Sequence, residues 1–154
     1  MRIYVASSWR NERQPAVVKA LEEAGHDVYD FRNPSMGPGA RGKGFHWTKI
    51  DEGWKQWTPE QFREALGHQV ARDGFESDET GMEWSEACVL VMPCGRSAHL
   101  ELGWAIGSGR KSIILLSDGE PELMYGLADA LCTTVEEVLL TLSLFEEEGR
   151  SHHP

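Results

Sequence analysis

Five consecutive apolar residues, Cys88-Val89-Leu90-Val91-Met92, constrain the fold more than any other feature of the chain. A strand without a polar residue on either side cannot leave one face to water, so both faces must be covered. Short runs at Ile3 to Ala6, His26 to Phe31, Ser112 to Leu116 and Asp129 to Cys132 read as companion strands. The stretches between them change to helical period. Val17, Val18, Leu21 and Ala24 share one face, with Pro15 in the opening turn and Gly25 as a stop. Thr58-Pro59-Glu60-Gln61 caps a helix expected to reach about Ala71, and a second helix is expected from about Ser77 to Glu86. Ser97 can cap a helix whose inward side is Leu100, Ala105 and Ile106, with Gly103 and Gly107 admitting another backbone. Thr134 to Glu146 forms the last helix, carrying Val135, Val138, Leu139, Leu142 and Phe145 in register.

Strands alternating with helices predict an α/β fold: a doubly wound, five-stranded parallel sheet of flavodoxin/Rossmann-like winding, with helices on both faces. One domain is expected over residues 1–148, with a long Gly/aromatic loop at 32–57 and a flexible tail at 149–154. The loop has no period and collects Pro34, Gly37, Pro38, Gly39, Gly42 and Gly44, yet also Phe45, Trp47, Trp54 and Trp57. So many large apolar side chains argue for a lid or pocket wall rather than a linker.

The net charge of −10 argues against a nucleic-acid polymer as partner, because affinity for a phosphate backbone comes from clustered Lys and Arg. A single small anion stays open. Cys88, Cys94 and Cys132 are odd in number and lack metal-ligand or CxxC spacing, so reduced thiols in the cytoplasm are the expectation. The opening MRIYVASSWRNE has too short an apolar run for a secretory signal, and no stretch reaches membrane-spanning length.

In a doubly wound sheet, ligands bind beyond the carboxyl ends of the strands where strand order reverses. Two turns fall there, Ser7 to Arg10 and Pro93 to Ser97. The second joins a strand end, Gly95 and a helix start, whose free amides suit an anion, with Arg96 or Arg10 as a charged contact. Glu101 sits one turn into that helix, as a reacting carboxylate or as an ordinary partner of the helix dipole. Asp78 reads equally as a functional acid or as an N-cap. His46 and Trp47 could stack on a ligand ring and read its edge. Cys94 lies near a helix start, where a thiolate is favoured.

Ile3-Tyr4-Val5-Ala6-Ser7, the Asp-containing helix and strand from Asp78 to Val91, and Leu100-Glu101-Leu102-Gly103-Trp104-Ala105 followed by Gly109-Arg110-Lys111 and a buried strand carry a resemblance. Together they resemble the nucleoside 2-deoxyribosyltransferase superfamily, which includes nucleoside 5′-monophosphate N-glycosidases. The resemblance implies cleavage of an N-glycosidic bond of a nucleoside or nucleotide, by hydrolysis or by transfer. It implies Glu101 as nucleophile through a covalent glycosyl intermediate, and Asp78 as the acid, with Glu76, Glu79 and Glu83 as lesser candidates. Tyr4 and Ser7 fall where relatives place orienting and sugar-contacting groups, although the family's usual Gly-Pro turn is absent. Gly95, Arg96 and Ser97 fit a substrate phosphate, and His99 either orients Glu101 or covers the helix end. No metal or organic cofactor is implied, and a homodimer or larger homo-oligomer is.

Two other readings remain open at the level of sequence. One is an NAD glycohydrolase like those of Toll/interleukin-receptor-type domains, which also place a Glu in a doubly wound sheet. The other is a nucleotide-sensing module without turnover.

Overall fold

The computed structural model describes residues 1–34 and 44–151. The first part of the expected lid, including Gly37, Pro38, Gly39 and Gly42, and the tail residues 152–154 lie outside the described residues. Five parallel strands, β1 (Arg2–Ala6), β2 (Asp27–Asp30), β3 (Ala87–Val91), β4 (Lys111–Leu115) and β5 (Ala130–Cys132), form one sheet in the order β2-β1-β3-β4-β5. That is the flavodoxin-like winding expected from the sequence, with β1 and β3 flanking the switch point.

Strand alternation sorts the core into two layers. Ile3, Val5, Val89, Val91, Ile113 and Leu115 face α1 (Gln14–Glu23) and α5 (Val135–Ser151), where they meet Val17, Leu21, Val138 and Leu142. Tyr4, Ala6, Cys88, Leu90 and Ile114 face the other way, toward α4 (Arg96–Gly107) and its Ala98, Leu102 and Ala105. Tyr29 joins this second layer from β2, directly opposite Tyr4 in the register, as Cys88 is from β3. Helix α1 stops at Gly25, whose φ of +87° suits glycine and turns the chain into β2.

Several boundaries differ from the expectation. Helix α2 (Pro59–Ala65) is short, and Gly67 ends it before α3 (Gln69–Trp84) begins with the His68 ring accepting from the Val70 amide at 3.2 Å. Asp78 is therefore in the middle of a helix and is not an N-cap. Helix α4 is capped by the backbone of Gly95 without a side-chain hydrogen bond, so Ser97 is not its cap. Leu100 points outward and is 76% exposed, because Ala98, Leu102 and Ala105 form the inward stripe. Among the described residues no other segment approaches Gly103 or Gly107. Residues 149–151 continue α5. Among the described residues no helix is long and apolar enough to cross a membrane.

Candidate active site

The carboxyl ends of β1 and β3 are tied together by polar side chains. Ser7 Oγ donates to Val91 O at 2.8 Å, and buried Asn11 donates through Nδ2 to the same carbonyl and to Ser7 Oγ, each at 3.0 Å. Arg13 Nη1 reaches Leu116 O at 3.2 Å, and one Nη2 of Arg32 donates to Ser8 O, Trp9 O and Asn11 O at 2.8 to 2.9 Å. The two predicted turns thus stand side by side, as the topology requires. Ser7 is committed to this bracing.

Helix α4 brings Glu101 beside Tyr4 of β1. Ala98, Glu101, Leu102 and Ala105 follow i, i+3, i+4, i+7 spacing, so Glu101 occupies a core-facing position in a stripe otherwise made of apolar residues. Helix α3 approaches from the neighbouring side through small residues. At Gly81 a Cβ would stand 2.7 Å from the Tyr29 ring, so only glycine lets the helix lie this close. That approach sets Asp78 against Tyr29, whose hydroxyl donates to Asp78 Oδ1 at 3.0 Å and lies 2.9 Å from Ser77 Oγ. Tyr29 in turn stacks on Tyr4, with ring centroids 5.2 Å apart and planes within 9°. Glu76, Glu79 and Glu83 are exposed on the outer side of α3.

The electrostatics follow from this packing. Glu101 is partly buried, and its pKa rises from 4.5 to about 7, first through loss of hydration and then through the charge of Asp78; the nearby Tyr4 hydroxyl pulls it partly back. Asp78 rises from 3.8 to about 6 through burial, opposed by the Tyr29 hydrogen bond. Tyr4 is held well above its ordinary value by burial and by both carboxyls, so it keeps its proton. Its hydroxyl is buried and makes no hydrogen bond of good geometry among the described residues. Glu101 and Asp78 are two neighbouring acids that do not both ionise readily.

A cavity of about 310 Å³ opens on the Asp78 side, lined by Phe31, Phe45, Asp73, Gly74, Ser77 and Asp78 among others. Glu101 does not line it and lies near Tyr4 and Cys88. At the start of α4, one turn before Glu101, Gly95, Arg96 and Ser97 are exposed. Arg10 and Arg96 are exposed, and neither guanidinium has a partner among the described residues.

The remaining sequence candidates are placed elsewhere. His99 Nδ1 lies 2.8 Å from Gly95 O and Nε2 lies 2.7 Å from the Tyr125 hydroxyl, so its ring covers the helix end and has no nitrogen left for Glu101. His46 caps a short 3-10 turn at Trp47–Lys49. Trp47 packs edge-to-face with Phe45, Trp57 and Phe62, and neither it nor His46 lines the cavity. Burial and the charge of Glu101 push the Cys94 thiol up to about 12, the reverse of the thiolate expected at a helix start. Among the described residues no cluster of three His, Cys, Asp or Glu side chains is placed to hold a metal.

Tyr29 and Arg32 were not singled out by the sequence, and Phe45 stood there only among the aromatic residues of the expected lid or pocket wall. The strand register held a signal for Tyr29, since Tyr4 and Tyr29 occupy equivalent inward positions of adjacent parallel strands.

No family profile and no curated protein matches the chain in sequence. Among solved structures the fold is similar to that of a 2-deoxyribosyltransferase from the psychrotolerant bacterium Bacillus psychrosaccharolyticus, with TM-score 0.56 and 18% identity over 90% of each chain. It is also similar to a CMP N-glycosidase from Clostridium botulinum, with TM-score 0.49 and 18% identity over 93% of this chain and 99% of that one. At 18% identity the likeness to the 2-deoxyribosyltransferase shows the fold.

Proposed function

We propose that the protein is an enzyme that cleaves the N-glycosidic bond of a nucleoside, with preference for a nucleoside 5′-monophosphate, using Glu101 as nucleophile and Asp78 as acid. The observation that carries this reading is the meeting of Glu101 and Asp78 beside Tyr4 at the switch point, both carboxyls held above their ordinary pKa values. The fold shared with a 2-deoxyribosyltransferase supports it.

Two acids with pKa values of about 6 and about 7 hold one proton between them in that interval. The reactive arrangement has Glu101 ionised and Asp78 protonated, one of the two ways in which the pair shares that proton. Positive charge developing on the sugar beside Glu101 favours that arrangement during reaction. Glu101 then attacks the anomeric carbon while the C–N bond breaks, and the bonding pair leaves on the base nitrogen, which takes the Asp78 proton. Water, or a second base, attacks the same carbon, loses a proton to Asp78 and releases the Glu101 carboxylate. Tyr4, kept neutral, orients Glu101.

The open amides at the start of α4, with Gly95 and the unpartnered Arg10 and Arg96, support a site for the 5′-phosphate. The exposed apolar side chains Leu100, Leu123, Met124 and Leu127 support self-association as a homodimer or higher oligomer. The test is a chromatographic screen for free base after incubation with nucleosides, their 5′-monophosphates and NAD. Wild type should release base from at least one monophosphate, and Glu101→Ala should slow release by roughly 10³-fold or more. Release from no substrate, or equal release by the variant, overturns the reading.

A further inference from the structure

If the base departs with the Asp78 proton, its ring nitrogen lies within hydrogen-bond reach of Asp78, and the cavity that Asp78 lines is the space the base fills. About 310 Å³ is at the small end of the ~300–1,000 Å³ range of ligand pockets, enough for a base without a large appendage. Resting on the proposed glycosidase reading, we infer that Phe45 and Asp73 select the base, Phe45 as the ring on which it stacks and Asp73 as the acceptor for an exocyclic amine.

Phe45 is placed by the fold from three directions. Its carbonyl accepts from Trp9 Nε1 at 3.0 Å, and its ring meets Trp47 edge-to-face with centroids 4.8 Å apart. Its Cβ rests on Gly74, where an added methyl would come within 2.6 Å. A glycine in mid-helix costs about 1 kcal/mol relative to alanine, and the seat of Phe45 is the packing reason for this one. With Phe31, Pro34 and Val70 the ring makes an apolar wall suited to a flat heterocycle.

Asp73 belongs to the polar rim of the same cavity. It precedes Asp78 by five residues on α3, about 7.5 Å along the helix axis, and both residues line the cavity, so the two carboxyls meet it at separate points. Its Oδ1 accepts from Gln69 Nε2 at 2.6 Å, and its second oxygen has no partner among the described residues. Lys49, the cation of the rim, donates to Gly44 O at 2.7 Å and is held in the loop. An acceptor-only group at the far edge favours a base that presents an amine there, the same chemistry by which carboxylates read the cytosine amine.

The test is base release from two nucleoside 5′-monophosphates differing only in the exocyclic amine, by wild type, Asp73→Ala and Phe45→Leu. Binding of the two free bases, read by quenching of tryptophan emission, runs beside it. Wild type should favour the amino-bearing substrate about tenfold in kcat/KM, and Asp73→Ala should bring the ratio to about one. Phe45→Leu, which keeps apolar bulk, should raise KM about tenfold for both while kcat moves less than about threefold. An unchanged ratio in Asp73→Ala, or a loss of kcat at constant KM in Phe45→Leu, overturns the inference. Should wild type release base from no substrate, here or in the wider screen, the glycosidase reading has failed and the binding arm decides. Quenching by the amino-bearing base that weakens in Asp73→Ala upholds the assignment, and equal quenching in both proteins overturns it.

Discussion

Glu101→Gln should make the protein more stable above neutral pH and leave its stability nearly unchanged in acid. In an unfolded chain the carboxyl titrates near 4.5, whereas in the folded protein it titrates at about 7. Between those values the folded state holds a proton that the unfolded state has lost, so stability falls as pH rises through the window. Below it both states are protonated and nothing is lost. Above it the whole cost is present, about 3 kcal/mol for a rise from 4.5 to about 7. That is the ceiling for Gln, because part of the cost comes from the charge of Asp78 and overlaps with the cost carried by that residue. Thermal unfolding of wild type and Glu101→Gln at pH 4 and pH 8 reads it directly. For a domain of this size about 3 kcal/mol corresponds to a gain on the order of 6–12 °C in Tm at pH 8, with little gain at pH 4. A variant that is less stable at pH 8, or shifted equally at both pH values, refutes the burial and charge crowding assigned to Glu101.

Three further outcomes follow from the same geometry. Asp78→Asn should lower kcat by about 10²–10³-fold and remove the alkaline limb of the pH profile, leaving an acid limb set by Glu101 alone and below about 7, because the Asp78 charge helps hold Glu101 up. Tyr29→Phe should shift the alkaline limb to higher pH, since the lost hydrogen bond was lowering the pKa of Asp78; the kcat/KM profile reports it. Arg96→Ala should raise KM for 5′-monophosphates about tenfold and leave the unphosphorylated nucleosides unchanged, as initial-rate measurements would show.

Parallel strands were legible because buried strands need unbroken apolar runs, and Cys88 to Met92 and Ile113 to Leu116 supply them. The side-by-side position of the Ser7 and Pro93 turns followed from topology. The inward face of α4 was harder to read, since Ala98 and Ala105 bury little area each while the larger Leu100 is exposed. Helix α3 was expected to begin only at about Ser77, whereas it runs from Gln69, with Gly74 as the seat of Phe45 and Gly81 as the seat of the Tyr29 ring. With the helix start placed too late, Asp78 looked like a cap, whereas the continuous helix turns it inward toward Tyr29. The cavity wall was out of reach for a different reason. Which of Phe45, His46 and Trp47 faces the cavity depends on contacts with Trp9, Trp57 and Phe62, which no sequence period announces.

The claim that Glu101 takes the sugar covalently is tested most directly by acid-quenching the enzyme during turnover of a nucleoside 5′-monophosphate and weighing its peptides. The peptide containing Glu101 should gain the mass of one glycosyl phosphate unit, and that gain should vanish in Glu101→Ala together with base release. Rapid release of base by Glu101→Ala, or a glycosylated peptide that does not contain Glu101, would contradict it.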